Sequence, residues 1–144
     1  SINQLEKTAN LRDFCQIIVQ EVRKVTGFDR VMLYKFDDDG HGAVIAEEKL
    51  DSMESYLGLH YPESDIPKPA RTFFTSNWIR LIPDTKAQPI GLFPTDNPIS
   101  GQRLDLTFSL LRSAADCHME YLHNMGVGAS LTISLMKDQK LWGL

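Results

Sequence analysis

Val31-Met32-Leu33-Tyr34-Lys35-Phe36, followed by Asp37-Asp38-Asp39-Gly40-His41-Gly42 and then Ala43-Val44-Ile45-Ala46-Glu47, is the stretch on which the fold turns. Its first run is β-branched and aromatic, the composition of a strand. The acidic, glycine-bearing middle is a turn, and the chain returns as a second strand. Residues 31–47 therefore predict a β-hairpin. Just before it, Leu11, Phe14, Cys15, Ile18, Val22 and Val25 recur at helical spacing. They predict a helix from about Leu5 to Val25 with one apolar stripe, stopped by Gly27.

Beyond the hairpin, Met53 to Leu59 reads as a short helix or turn. Tyr61 to Pro69 contains Pro62, Pro67 and Pro69, which deny regular structure its backbone donors and helical dihedrals. A helix resumes from Ala70 to Asn77, and Trp78 to Ile82 is apolar enough for a strand. Residues 83–103 hold Pro83, Pro89, Gly91, Pro94, Pro98 and Gly101, a connection of a length that is more often functional than idle. Leu104 to Met125 reads as a second long helix with Leu110 and Leu111 in its core, ended by Gly126. Leu131, Ile133 and Leu135 alternate with Thr132, Ser134 and Met136, the pattern of a half-buried strand. Lys137 to Lys140 turns the chain, and Leu141 to Leu144 begins another strand. Two strand pairs with helices before and between them predict an α+β fold, one antiparallel sheet with helices packed on it, in a single domain over residues 1–144. On this reading the sequence stops before the domain's last strand and C-terminal helix.

A chain of 144 residues can bury a sufficient core without disulfides or a structural metal. The net charge of −4 is spread over interleaved acidic and basic residues, without the basic face of a nucleic-acid binder. No apolar run approaches the roughly 20 residues of a membrane span. Ser1-Ile2-Asn3-Gln4-Leu5-Glu6 lacks the basic-then-apolar order of a signal peptide. The expectation is a cytoplasmic protein with neither nucleic acid nor membrane as a partner. Of the two cysteines, Cys15 falls on the apolar stripe and reads as core. Cys117 sits between Asp116 and His118, in a polar setting that invites chemistry.

Neighbouring helical residues point about 100° apart, so Cys117 and His118 do not form the hydrogen-bonded pair of a cysteine protease. Cys117, His118 and His123 lack the paired spacing of a zinc site. Asp37, Asp39 and Gly40 begin like a calcium loop, but the glycine is misplaced and no acidic residue closes the loop. His123 reads as solvated and Trp142 as packing. Neither a catalytic residue nor a metal ligand is expected, and the chain does not read as an enzyme.

Arg112-Ser113, Cys117-His118, Tyr121-Leu122 and Asn124-Met125-Gly126-Val127 together resemble the chromophore-attachment segment of phytochromes. Tyr61-Pro62-Glu63-Ser64-Asp65-Ile66-Pro67, with Pro69-Ala70-Arg71, resembles their Asp-Ile-Pro motif. Phe28 to Phe36 and Leu141 to Leu144 are similar to two further segments of the family. The motifs run in the family's order from about residue 14 to the end.

The resemblance implies a GAF domain, an antiparallel sheet flanked by helices, that binds a linear tetrapyrrole (bilin) and senses red and far-red light by double-bond photoisomerisation. It implies a thioether from Cys117 to the A ring, with phycocyanobilin as the expected bilin. His118 and the main-chain oxygen of Asp65, in Asp65-Ile66-Pro67, would face the pyrroles. Arg80, Arg112, Ser130 and Thr132 would take the propionates, and Tyr34, Tyr61 and Tyr121 would surround the D ring. It further implies a downstream signalling domain in the parent chain and a homodimer formed through helices. Ala115 stands where the family often has Ser, and Phe74 where Tyr is frequent. The rival readings are a GAF domain for a small ligand of the cyclic-nucleotide type and a GAF domain that serves only dimerisation.

Overall fold

The computed structural model describes residues 10–109 and 112–144. The first helix, α1, spans Leu11–Thr26; the part expected at residues 5–9 lies outside the described residues. Asn10 caps it by accepting from the Asp13 amide at 2.9 Å, and Gly27 ends it at φ 71°, donating to the Arg23 carbonyl at 2.8 Å. A left-handed cap of this kind favours glycine, whose missing Cβ removes the steric penalty.

The predicted hairpin forms as β1 (Arg30–Phe36) and β2 (Gly42–Lys49), antiparallel with a bulge between Leu33 and Tyr34. The region 50–59 is turns rather than helix, closed by bonds such as Met53 N–H to Leu50 O at 3.1 Å. The proline-rich stretch is more ordered than its composition predicts. His60–Tyr61 pairs with β2 as β3, Glu63–Asp65 makes a 3-10 turn, and Pro69 is absorbed into the first turn of α2 (Lys68–Ser76). The first turn of a helix tolerates proline because its amides lack intrahelical acceptors.

β4 covers Ile79–Ile82. The second long helix is shorter than expected: α3 is Asp116–Asn124 only. Residues 104–109 form turns instead, with Asp105 accepting from the Thr107 amide at 2.9 Å and from its hydroxyl at 2.5 Å. Such local side-chain bonds compete with helical ones. Leu104 and Phe108 are exposed, and Leu110 and Leu111 lie outside the described residues.

The expected single strand from Leu131 to Met136 is two strands. β5 (Ser130–Ile133) pairs with β4, and β6 (Leu135–Lys137) pairs with β7 (Lys140–Gly143). The ladders are accordingly a five-stranded sheet in the order β3-β2-β1-β7-β6 and a two-stranded sheet β4-β5, not one sheet. Buried Ser134 marks the break and donates to the Phe74 carbonyl at 2.7 Å.

The chain forms two compact units. One runs to Ser76 and includes Ser134–Leu144; the other is Asn77–Ile133. In the first unit, Cys15 and Val19 of α1 pack on Leu33 and Ala46, with Val31, Ile45, Leu135 and Trp142 around them. The core reading of Cys15 and Trp142 therefore holds, and burial pushes the Cys15 thiol pKa up. Glu47 is buried beside this core. It accepts from the Ser55 hydroxyl at 2.6 Å and the Tyr56 amide at 3.1 Å, and pairs with Arg30 at 3.3 Å. The Arg30 guanidinium lies 3.7 Å from the Tyr56 ring centroid. Among the described residues, no helix is long and apolar enough to cross a membrane.

Candidate functional site

Seven of the residues singled out in the sequence fall in the unit Asn77–Ile133. Its two-stranded sheet sets Arg80 opposite Thr132 and Ile82 opposite Ser130. Directly paired residues share a face, as do residues two apart on a strand. Arg80, Ser130 and Thr132 thus line one face, and Ile79, Leu81, Leu131 and Ile133 the other. Arg80 and Arg112 are both half-buried, and the Arg112 guanidinium donates to the Ser109 carbonyl. Burial first, and the charge of Arg112 second, push the Arg80 guanidinium below its ordinary value. Two cations held close, with two hydroxyl-bearing residues on the same face as one of them, make a setting suited to carboxylates.

Cys117 and His118 open α3. Cys117 is a free, exposed thiol in the helix's first turn. His118 is half-buried, and its amide donates to the Ala115 carbonyl at 2.9 Å. Burial first, and the Arg80 charge second, push the His118 pKa below its ordinary 6.5. A neutral imidazole keeps one ring nitrogen as an acceptor, which an imidazolium lacks. Tyr121, one turn on from Cys117, is exposed.

Two contacts that hold α3 carried no sequence signal. Thr85 is buried at 2% exposure; its hydroxyl donates to the Val127 carbonyl at 2.7 Å and its amide to the Gly128 carbonyl at 2.9 Å. The His123 ring nitrogen lies 2.7 Å from the Thr85 carbonyl, so His123 is a clasp rather than a purely solvated residue. A threonine between Asp84 and Lys86 in a turn-rich loop shows no periodicity that could reveal this.

The remaining residues lie in the other unit. Tyr34 and Tyr61 have ring centroids 6.0 Å apart, and Phe36 meets Tyr34 edge-on at 5.2 Å. A Cβ at Gly42 would collide with the Tyr34 ring, so that ring lies against bare backbone. Burial is the largest cause that pushes the Tyr61 phenol pKa up. Asp65 ends the 3-10 turn, with its amide donating to the Pro62 carbonyl at 3.1 Å, and Ile66 and Pro67 lead into α2.

The GAF domain model matches residues 10–144. The chain belongs to the GAF domain family. It is 79% identical over its whole length to cyanobacterial phytochrome A of Nostoc sp. and 62% identical to the phytochrome-like protein Cph1 of Synechocystis sp., spanning 19% of each. The crystal structure of the chromophore-binding domain of an unusual bacteriophytochrome from R. palustris superposes with a TM-score of 0.94 at 44% identity. That match covers 99% of this chain and 48% of the other. The likeness to phytochromes read from the motifs is borne out, and so is the GAF fold.

Proposed function

We propose that this chain is a photosensory binding module that holds a bilin covalently through Cys117 and reports red and far-red light, and that it is not an enzyme. The observation that carries this reading is the opening of α3. An exposed thiol there is followed by a half-buried histidine whose pKa is pushed down by burial and by Arg80, which in turn feels the charge of Arg112. A bound bilin would supply red absorption and a double bond that isomerises. The protein's part is attachment, charge and position.

Cys117 would hold the bilin by a thioether to its A ring, its thiol adding sulfur and proton across an exocyclic double bond of that ring, distinct from the bond that isomerises. Arg80 and Arg112 take the propionate carboxylates, assisted by Ser130 and Thr132. His118 accepts from pyrrole N–H groups, a role its neutral ring permits. On the strength of the motifs, Tyr34, Tyr61 and Tyr121 are assigned to the D ring, and the main-chain oxygen of Asp65 in Asp65-Ile66-Pro67 to the pyrrole nitrogens. Phycocyanobilin is the bilin we favour, because the cysteine directly precedes the histidine and the relatives at 79% and 62% identity are cyanobacterial. A downstream signalling domain in the parent chain fits the length of those relatives.

Co-expression with phycocyanobilin synthesis enzymes tests the reading. The protein should turn blue-green, absorb in the red, and keep its colour through acid-urea denaturation. Cys117→Ala should lose that denaturation-resistant colour and Cys15→Ala should keep it. A colourless wild type would overturn the function, and colour retained after denaturation of Cys117→Ala would overturn the attachment site.

A further inference from the structure

Arg71 is the side chain around which the Asp65-Ile66-Pro67 segment is wrapped. Its Nε donates to the Ile66 carbonyl at 2.6 Å, and a terminal nitrogen donates to the Glu63 carbonyl at 3.2 Å. The same nitrogen lies 3.7 Å from the Glu63 carboxylate, and the Arg71 side chain is only 19% exposed. Its guanidinium carbon stands 5.1 Å from the Phe36 ring centroid. Gly40, at φ 87°, leaves room for it: a Cβ there would come within 2.8 Å of the guanidinium.

The prolines explain why a side chain is used. Pro67 and Pro69 have no N–H, so Glu63 and Asp65 each lack the amide donor four residues on. The guanidinium fork reaches the carbonyls on either side of Asp65, those of Glu63 and Ile66. It holds the peptide units 63–64 and 66–67, one removed from Asp65 on each side, and does not itself occupy the Asp65 carbonyl. A planar fork with several donors can hold two carbonyls at set angles; a single ammonium cannot.

We infer that Arg71 is a positioning residue for the bilin: by gripping the Glu63 and Ile66 carbonyls it aims the main-chain oxygen of Asp65 at the pyrrole N–H groups. This rests on the function proposed above. Without Arg71 the turn loses its direction rather than its bonds to neighbouring strands, and the pyrrole hydrogen bond lengthens.

The test uses the full parent chain loaded with phycocyanobilin. Wild type, Arg71→Ala, Arg71→Lys and Phe36→Leu are compared by acid-urea attachment, by the red absorption band, and by resonance Raman bands of the bilin N–H groups in water and deuterium oxide. We expect all four to attach bilin at Cys117. Arg71→Ala and Arg71→Lys should show shifted N–H bands and a broadened red band, whereas Phe36→Leu, which removes the ring's contacts to Arg71 and to Tyr34 but leaves the grip on the Glu63 and Ile66 carbonyls, should keep the N–H bands of wild type. N–H bands of Arg71→Ala identical to wild type, with only a lowered melting temperature, would reduce Arg71 to a structural staple and overturn the inference. Should Arg71→Ala not fold, Arg71→Lys decides by the same bands. A wild type that attaches no bilin would bring down the function itself, an outcome separate from any effect of Arg71.

Discussion

His118 carries a consequence for the colourless protein that its proposed role does not require. Its folded-state pKa is depressed, by burial and then by Arg80, below the 6.5 of an unperturbed imidazole. In the unfolded chain the same ring takes up a proton near that ordinary value. As pH falls from about 7 to 5, the unfolded state therefore binds more protons than the folded state, and stability declines. Above the unfolded value the contribution is fully present; it is lost as pH falls through the folded value. His118→Gln should flatten this decline in urea unfolding measured across that range. The other histidines are common to both proteins and cancel. Equal slopes in the two would contradict the depressed pKa. The identity of His118 as a chemical residue was legible in the sequence, because a thiol and an imidazole in a known order are local information. Its depressed pKa was not, since that depends first on burial and then on Arg80, which is distant in the chain and brought near by β4.

Among the elements, the hairpin and α1 were legible because each carries its own period: alternation and β-branching in one, an apolar stripe in the other. The long helix expected from Leu104 was not. Leu104 and Phe108 are exposed, and Asp105 closes a turn with Thr107. The break between β5 and β6 was equally hidden, because alternation of apolar and polar residues continues straight through Ser134. Only the Phe74 carbonyl that receives its hydroxyl explains why a serine is buried there. The Thr85 clasp on α3 belongs to the same class of tertiary information. Thr85→Val keeps the shape but leaves the Val127 carbonyl without its hydroxyl donor, a loss of about 1–3 kcal/mol. Thermal unfolding should show a melting temperature lower by several degrees, and Thr85→Ser should restore most of it. A Thr85→Val protein as stable as wild type would show that the clasp is dispensable.

For the whole molecule, the proposed function has stability and colour draw largely on different residues. Glu47 and Arg30 form a buried pair that ties the turns at residues 54–56 to the hairpin. Removing one member strands the other charge, and such losses run to about 3–5 kcal/mol. Glu47→Ala should therefore unfold at much lower denaturant than wild type. Glu48→Ala, which loses a partly exposed contact to Arg23 at 3.9 Å and a long bond from the Gln16 amide at 3.5 Å, should change stability by about 1 kcal/mol or less. Comparable losses in the two would deny the buried pair its weight. Gly42 stands on the other side of this division. The Tyr34 ring lies where a side chain at that position would have to be, so space itself is the feature being kept. For a designer of pigments this is a dial worth one methyl group: Gly42→Ala should displace the ring and move the absorption maximum while thiol, guanidinium and carbonyl stay untouched. An absorption spectrum that does not move, from a protein that still holds its pigment, would show that hue is indifferent to where this ring rests.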